Sequence, residues 1–106
     1  MPAPGDSRAW DGLVVAPSWS EPVEAETRPT DLQALQRRLA LKLRDSGFDH
    51  VLLVLLDSRH NRALVREFRS ELADAFPIPG SRALELLAAG VQPGGSSVLL
   101  LITACV

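Results

Sequence analysis

Hydrophobic and polar positions follow two different periods in the first half of this chain. An Asp-Gly pair precedes an apolar run at 12–16, and residues 23–27 (VEAET) alternate small or apolar with polar side chains, as in a strand with one wet face. The Pro- and Ser-containing stretch between them favours an antiparallel hairpin. Leucines at 32, 35, 39 and 43 then predict a helix over about 31–46, with Thr30 and Gln33 spaced as a capping box and Gly47 at its end.

Strand and helix patterns alternate in the second half. The continuous apolar run 51–56 (VLLVLL) is typical of a central strand that is covered on both faces. Apolar residues at 64, 68, 72 and 76 predict a helix over about 60–76, followed by a short helix at 81–90 and a last strand at 97–102. The order β-β-α-β-α-α-β predicts a single α/β domain over 1–106, irregular at 1–10, with a small mixed β-sheet flanked by helices.

Length, charge and hydropathy narrow the class of protein. With 106 residues, 46% of them hydrophobic, the chain suits one core, and its net charge of −2 means that any DNA contact needs a local patch. Apolar runs fall well short of the ~20 residues of a membrane span, and the first residues lack a signal-peptide pattern. We therefore expect no membrane span and a cytoplasmic location. The single cysteine, Cys105, predicts no internal disulfide.

Three acidic residues are the strongest candidates for chemistry. Asp11 opens the first strand, and Glu24 and Glu26 share one face of the second because strand side chains alternate. If strand pairing brings Asp11 beside them, the three carboxylates suit Mg²⁺ or Mn²⁺, which activates water and stabilises a phosphoryl transition state. The alternative is that both glutamates form the solvated face of an edge strand and that Asp11 begins a turn.

A second polar cluster follows the buried strand, at the end where α/β sheets place ligand clefts. Arg59 and Arg62 would hold a phosphate there, and His60 offers a base without an identifiable nucleophile. Arg28 and Arg37 add positive charge close to the acidic strand, where they would contact a phosphate backbone. The simpler interpretation is a helix cap with a solvated first turn.

A family resemblance rests on the stretches GDSRAWDGLVV, VEAETRPTDLQALQRRLALKLRD and HVLLVLLDSRHNRALVRE. They resemble the C-terminal domain of bacterial helix-turn-helix transcriptional regulators, which itself resembles a diverged PD-(D/E)XK, or restriction-endonuclease-like, domain. The resemblance implies a restriction-endonuclease-like core with Asp11 and Glu24 as metal ligands and Gln33 or Arg37 as the group from the next helix. It also implies a preceding strand and a helix-turn-helix domain. Residues 1–10 are too short for both, so we expect a shortened or free-standing version.

Position 26 departs from the pattern of that superfamily. Glu26 stands where a lysine is expected, and a glutamate can hold a metal ion but cannot give positive charge to the attacking water or the phosphate. The sequence therefore predicts a nuclease-like domain with weak or absent catalysis that serves a DNA-binding regulator, with DNA as partner and a homodimer as an open option. Two alternatives remain: an active Mg²⁺-dependent endonuclease, and a plain interaction or dimerisation module.

Overall fold

A four-stranded mixed sheet lies at the centre of the computed structural model, which describes residues 10–101. Its strands, in spatial order, are β1 (Gly12–Val15), β2 (Ser20–Glu26), β3 (Leu52–Leu56) and β4 (Ser97–Leu101). β1 runs antiparallel to β2, whereas β2, β3 and β4 are mutually parallel. The predicted hairpin and mixed sheet are confirmed. β2 begins earlier than predicted, because its pairing with β1 extends back to Ser20.

Four helices within residues 10–101 connect the parallel strands. α1 (Leu32–Ser46) joins β2 to β3, and α2 (Arg59–Glu67), α3 (Arg69–Ala75) and α4 (Gly80–Ala88) lie between β3 and β4. The observed order is thus β-β-α-β-α-α-α-β, with one helix more than predicted. None of these helices has the length and apolar character that crossing a membrane requires.

The prediction of one helix over 60–76 is wrong. The chain leaves helical geometry at Phe68, where φ is −104° and ψ is 28°. A repeat of four residues advances by about 40° per step around a straight α-helix, so the stripe from Leu64 to Phe76 would turn away from the core. The break at Phe68 turns the second part of the stripe back towards the core. All four apolar side chains therefore pack in one cluster: Leu64, Phe68, Leu72 and Phe76.

Helix α1 begins one residue later than its predicted capping box. Asp31 rather than Thr30 is the N-cap, and its carboxylate accepts a hydrogen bond from the Ala34 N–H at 3.0 Å. This carboxylate also places negative charge at the positive end of the helix. At the other end, Gly47 adopts a left-handed φ of 82° and its N–H bonds to the Leu43 carbonyl, as predicted.

Apolar layers cover both faces of the sheet. On one face, side chains of α1, α2 and α3 pack on Leu53 and Leu55, and Trp10 closes the same cluster. On the other face, Ala83 of α4 packs with Leu52 and Leu99. β3 supplies both layers, which explains its uninterrupted apolar sequence.

The outer edge of β4 is partly covered by the segment before α4. The Ile78 N–H donates to the Ser96 carbonyl at 3.2 Å, and Ile78 forms a parallel bridge with Ser97. Close by, a Cβ at Gly80 would lie 2.6 Å from the Val98 carbonyl oxygen, so only glycine fits there. An edge covered in this way is closed to pairing with another strand over 96–98.

Core burial gives a first prediction. Leu39 and Leu53 are 2% and 0% exposed, so truncation of either to alanine should lower the free energy of unfolding by about 2–5 kcal/mol. Leu41→Ala, on the same helix as Leu39 but at a side chain that is 50% exposed, is the matched control and should change it by no more than about 0.5 kcal/mol. Urea denaturation measures all three. Equal losses of unfolding free energy at positions 39 and 41 would show that the assignment of the core-facing side of α1 is wrong.

Candidate functional site

The hairpin register brings Asp11 against the acidic part of β2. Gly12 is paired with Val23, and Asp11 Oδ2 accepts a hydrogen bond from the Ala25 N–H at 2.8 Å. Asp11 thus lies beside the residue that separates Glu24 from Glu26. The Ala25 N–H is the main cause that lowers the pKa of the Asp11 carboxyl, and slight burial opposes it. Asp11 is therefore held as a carboxylate at neutral pH.

Glu24 is buried beneath helix α1. Only 3% of it is exposed, because β2 lies between β1 and β3 instead of at the edge of the sheet. The interpretation of Glu24 as a solvated edge position is therefore wrong. Its Oε2 lies 2.5 Å from Lys42 Nζ and 4.0 Å from Arg38 Nη2.

Lys42 is the only lysine of the chain, and two groups contact its ammonium group. Its Nζ contacts Glu24 and lies 5.5 Å from the ring centroid of Trp10, a cation–π distance. Trp10 is 7% exposed and meets Phe48 edge-on, with ring centroids 6.4 Å apart. This tryptophan is therefore part of the core that supports the lysine.

Two cations of α1 that the sequence analysis did not single out belong to this site. Arg38 forms an ion pair with Glu26, and Lys42 forms one with Glu24. The expectation that no lysine stands near these acids is wrong. Arg38 and Lys42 are four residues apart on one flank of the leucine stripe, so a single rotation of α1 directs both towards β2. The four-residue spacing of Arg38 and Lys42 was the sequence feature from which their place near β2 could have been predicted.

One oxygen of the buried carboxylate has no partner. Glu24 Oε1 is buried and accepts no hydrogen bond from any described residue. A buried acceptor left in this way is costly unless a cation or a donor binds it. Asp11 and Glu24 together are the donor set that Mg²⁺ commonly takes from a protein, one or two carboxylates, with water and substrate oxygens completing the shell. Two ligands therefore fit a hard divalent cation.

Glu26, the third predicted metal ligand, forms an ion pair with an arginine. Glu26 is paired with Arg38, and within residues 10–101 no three or more Asp, Glu, His or Cys side chains are arranged to hold a metal ion. We therefore take Asp11, Glu24 and Lys42 as the site and call them the carboxylate–lysine cluster.

Other residues predicted for the site lie around the cluster or away from it. Arg28, Glu26 and Arg38 line a cleft of about 240 Å³ at the start of α1. Arg37 is exposed on α1. Gln33 is about 140° around the helix from Arg38 and lines a different groove, against Phe68. The structure thus brings Arg28 near the acids and leaves Gln33 apart from them.

The polar segment after β3 mainly holds the fold together. His60 Nε2 lies 3.3 Å from the Pro29 carbonyl oxygen, and Arg62 Nε lies 3.3 Å from Asp57 Oδ1. Arg59 is exposed. His60 and Arg62 are thus engaged with neighbouring parts of the chain.

Asn61 is a structural residue that the sequence analysis missed. It is fully buried, and its Nδ2 donates to the Thr27 carbonyl at 2.8 Å and to the Leu56 carbonyl at 2.9 Å. Ser58 is the N-cap of α2, and its side chain accepts a hydrogen bond from the Asn61 N–H at 3.1 Å. Asn61 therefore ties the ends of β2 and β3 together and fixes the connection that carries Arg28.

Comparison with family models, curated proteins and solved structures gives no match. The fold that the structure establishes is a small mixed α/β sheet with helices. The finer assignment to a restriction-endonuclease-like core rests on the resemblance of the three quoted stretches.

The buried ion pair gives a second prediction. Lys42→Met leaves Glu24 buried without its nearest cation, so the free energy of unfolding should fall by about 2–3 kcal/mol, which is less than for a fully buried pair because Lys42 is partly exposed. Glu24→Gln should cost less, and adding it to Lys42→Met should recover part of the loss. A double-mutant cycle in urea measures this coupling.

Arg37→Met is the matched control, a basic residue of the same helix that is exposed. A Lys42→Met variant as stable as Arg37→Met would contradict the contact between Lys42 and Glu24.

Proposed function

We propose that this chain is a nuclease-like domain whose carboxylate–lysine cluster binds a divalent cation and a nucleic-acid phosphate, with slow or absent cleavage. The observation that carries this proposal is the unpartnered Oε1 of buried Glu24, with Lys42 Nζ 2.5 Å from the other oxygen of the same carboxylate. Carboxylates and an ammonium group placed together serve a ligand that carries both metal and phosphate.

Each residue of the cluster has a distinct part. Asp11 and Glu24 would hold Mg²⁺ or Mn²⁺, which when bound activates water and stabilises charge on a phosphate. Lys42 would supply positive charge to the phosphate oxygens, the part that the resemblance assigns to a lysine at position 26. The Ala25 N–H keeps Asp11 ionised and in place for this task. Trp10 and Glu24 together limit the directions in which Lys42 can point.

The charge balance supports weak catalysis. Asp11, Glu24 and Glu26 carry three negative charges, and Arg38 and Lys42 carry two positive ones, so the site has a formal charge of −1. Both cations are already paired with carboxylates. Such a site attracts a divalent cation, and the bound ion would give it a formal charge of +1 that accepts a phosphodiester, but neither of the paired cations is free to stabilise the transition state. Binding of the metal ion is therefore expected to be stronger than turnover.

A nucleic-acid partner is supported by the cleft beside the cluster. Arg28 and Arg38 line that cleft together with Glu26 and Asp31, so its lining is formally neutral, and contact with DNA there would depend on these two arginines. The resemblance to domains of helix-turn-helix regulators supports a cytoplasmic, DNA-associated role in which another domain reads the sequence.

An active Mg²⁺-dependent endonuclease is the second candidate, and Lys42 favours it. The argument for inactivity from the sequence is the missing lysine at position 26. Because Lys42 reaches Glu24 from helix α1, the chain does have an ammonium group beside the candidate metal ligands. Activity is then decided by whether a metal ion and a phosphate can draw Lys42 away from Glu24.

Metal binding gives the third prediction. At Mn²⁺ ten times above Kd, binding to the folded state should add about 1.4 kcal/mol of stability, which raises Tm by several degrees. Asp11→Asn should remove this shift while preserving the acceptor for the Ala25 N–H. Asp45→Asn, an exposed acid at the far end of α1, is the matched control and should keep the shift. Differential scanning fluorimetry with and without Mn²⁺ measures it.

Cleavage of labelled single- and double-stranded DNA separates the candidates. We expect no product from the wild type above the Asp11→Asn background, together with the Mn²⁺ shift. Strong Mg²⁺-dependent cleavage that is lost in both Asp11→Asn and Lys42→Met would establish the active endonuclease. Absence of any Mn²⁺ shift in folded protein would reject the metal site and favour an interaction module.

A further inference from the structure

A second buried carboxylate lies on β2, on the face opposite to the carboxylate–lysine cluster. Glu21 is 1% exposed and precedes Glu24 by three positions, so the two side chains leave the strand on different sides. Glu21 Oε1 accepts a hydrogen bond from Gln92 Nε2 at 3.0 Å. Its Oε2 is buried, has no hydrogen-bond partner among residues 10–101, and lies 3.9 Å from His50 Nδ1.

These three side chains join three separate parts of the chain. Glu21 belongs to β2, His50 to the connection from α1 to β3, and Gln92 to the connection from α4 to β4. The same two connections also meet directly, since the Val51 N–H donates to the Ser96 hydroxyl oxygen at 3.0 Å. Glu21 therefore sits where the starts of the parallel strands are held together.

The negative charge of Glu21 is compensated by other groups than the charge of Glu24. In the part of the chain that the structure describes, no lysine or arginine pairs with Glu21, and Val14 faces it across the β1–β2 pair. The charged groups around it are His50 and Asp49, of which Asp49 makes the ionised form less favourable. A proton, on the carboxyl or on the imidazole of His50, is thus the charge that can compensate Glu21.

We propose that Glu21, His50 and Gln92 form a proton-dependent clasp, closed while the Glu21–His50 pair holds one proton and loosened when that proton leaves. With one proton bound, the pair is either a neutral carboxylic acid beside a neutral imidazole or a carboxylate beside an imidazolium. Without it, a carboxylate with one unpartnered oxygen remains buried against a neutral ring. That state favours separation of the two connections from β2, which lets water reach the carboxylate.

The sign of the pH dependence follows from the burial of Glu21. Burial raises the pKa of this carboxyl above its ordinary value of 4.5, and the Gln92 bond and the charge of His50 oppose that rise. A raised pKa means that the folded chain keeps a proton that the unfolded chain releases. This contribution to stability is complete below pH 4.5 and is lost as pH rises through the folded value. The clasp is therefore tighter below the folded pKa of Glu21 than above it.

Thermal unfolding from pH 5 to pH 8.5 tests the clasp, and neither metal nor nucleic acid is needed. Glu21→Gln keeps an acceptor for Gln92 and removes the charge, so we expect Tm to rise by about 4–8 °C at pH 8 and to depend less on pH than in the wild type. Glu71→Gln, at an exposed acid of α3, is the matched control and should follow the wild-type curve. Parallel curves for the wild type and Glu21→Gln would overturn the proposal.

A site-specific readout keeps the test valid if a variant folds poorly. In ¹H–¹⁵N spectra of the wild type, the side-chain amide of Gln92 should shift over the pH range in which the Tm curves of the wild type and Glu21→Gln diverge, because it donates to the titrating group. Amide signals of Gln92 that stay constant over this range would overturn the clasp. Loss of the Mn²⁺ effect on Tm would leave this result untouched, so the two proposals fail separately.

Discussion

A buried carboxylate and the only lysine of the chain form the ion pair that joins the central sheet to the first helix. Glu24 lies in an interior strand, so α1 must present Lys42 to it while the leucines of the same helix fill the core. Removing two charges from water is expensive, and apolar side chains of similar volume stabilise a fold at least as well. An ion pair with a free oxygen at this position therefore points to binding or chemistry rather than to stability.

The negative charges of two buried acids on β2 are compensated by different neighbouring groups. Glu24 faces α1 and is paired with a fixed cation, whereas Glu21 faces the other side and has a histidine and an amide as neighbours. The first arrangement places a cationic side chain directly against the carboxylate. The second depends on a proton that is exchanged with solvent. β2 thus carries a site suited to a ligand on one face and a group that responds to pH on the other.

Most elements of the fold follow from the periodicity of the sequence, and the errors have physical causes. Leucine spacing locates α1, and the unbroken apolar run locates β3, because each pattern reflects which faces are buried. The burial of Glu24 depends on the parallel pairing of β2 with β3, a long-range contact that local alternation does not encode. Lys42 was missed for a related reason. The leucine stripe shows which side of α1 faces the core, but the path of the connection from β2 through α1 to β3 decides which flank of the helix lies over β2. Glu21 was assigned to a turn, since prolines at 17 and 22 masked the start of the strand.

The most direct test of the carboxylate–lysine cluster as a metal site is paramagnetic broadening by Mn²⁺ in ¹H–¹⁵N spectra of the wild type. At substoichiometric Mn²⁺, the backbone amide signals of Asp11 and Ala25 should broaden first, because a cation on Asp11 and Glu24 lies next to both. Amides near the exposed acids Asp45 and Glu71 should stay sharp at the same concentration. Broadening that begins at those exposed acids and reaches Asp11 and Ala25 last would contradict a divalent-cation site in the cluster.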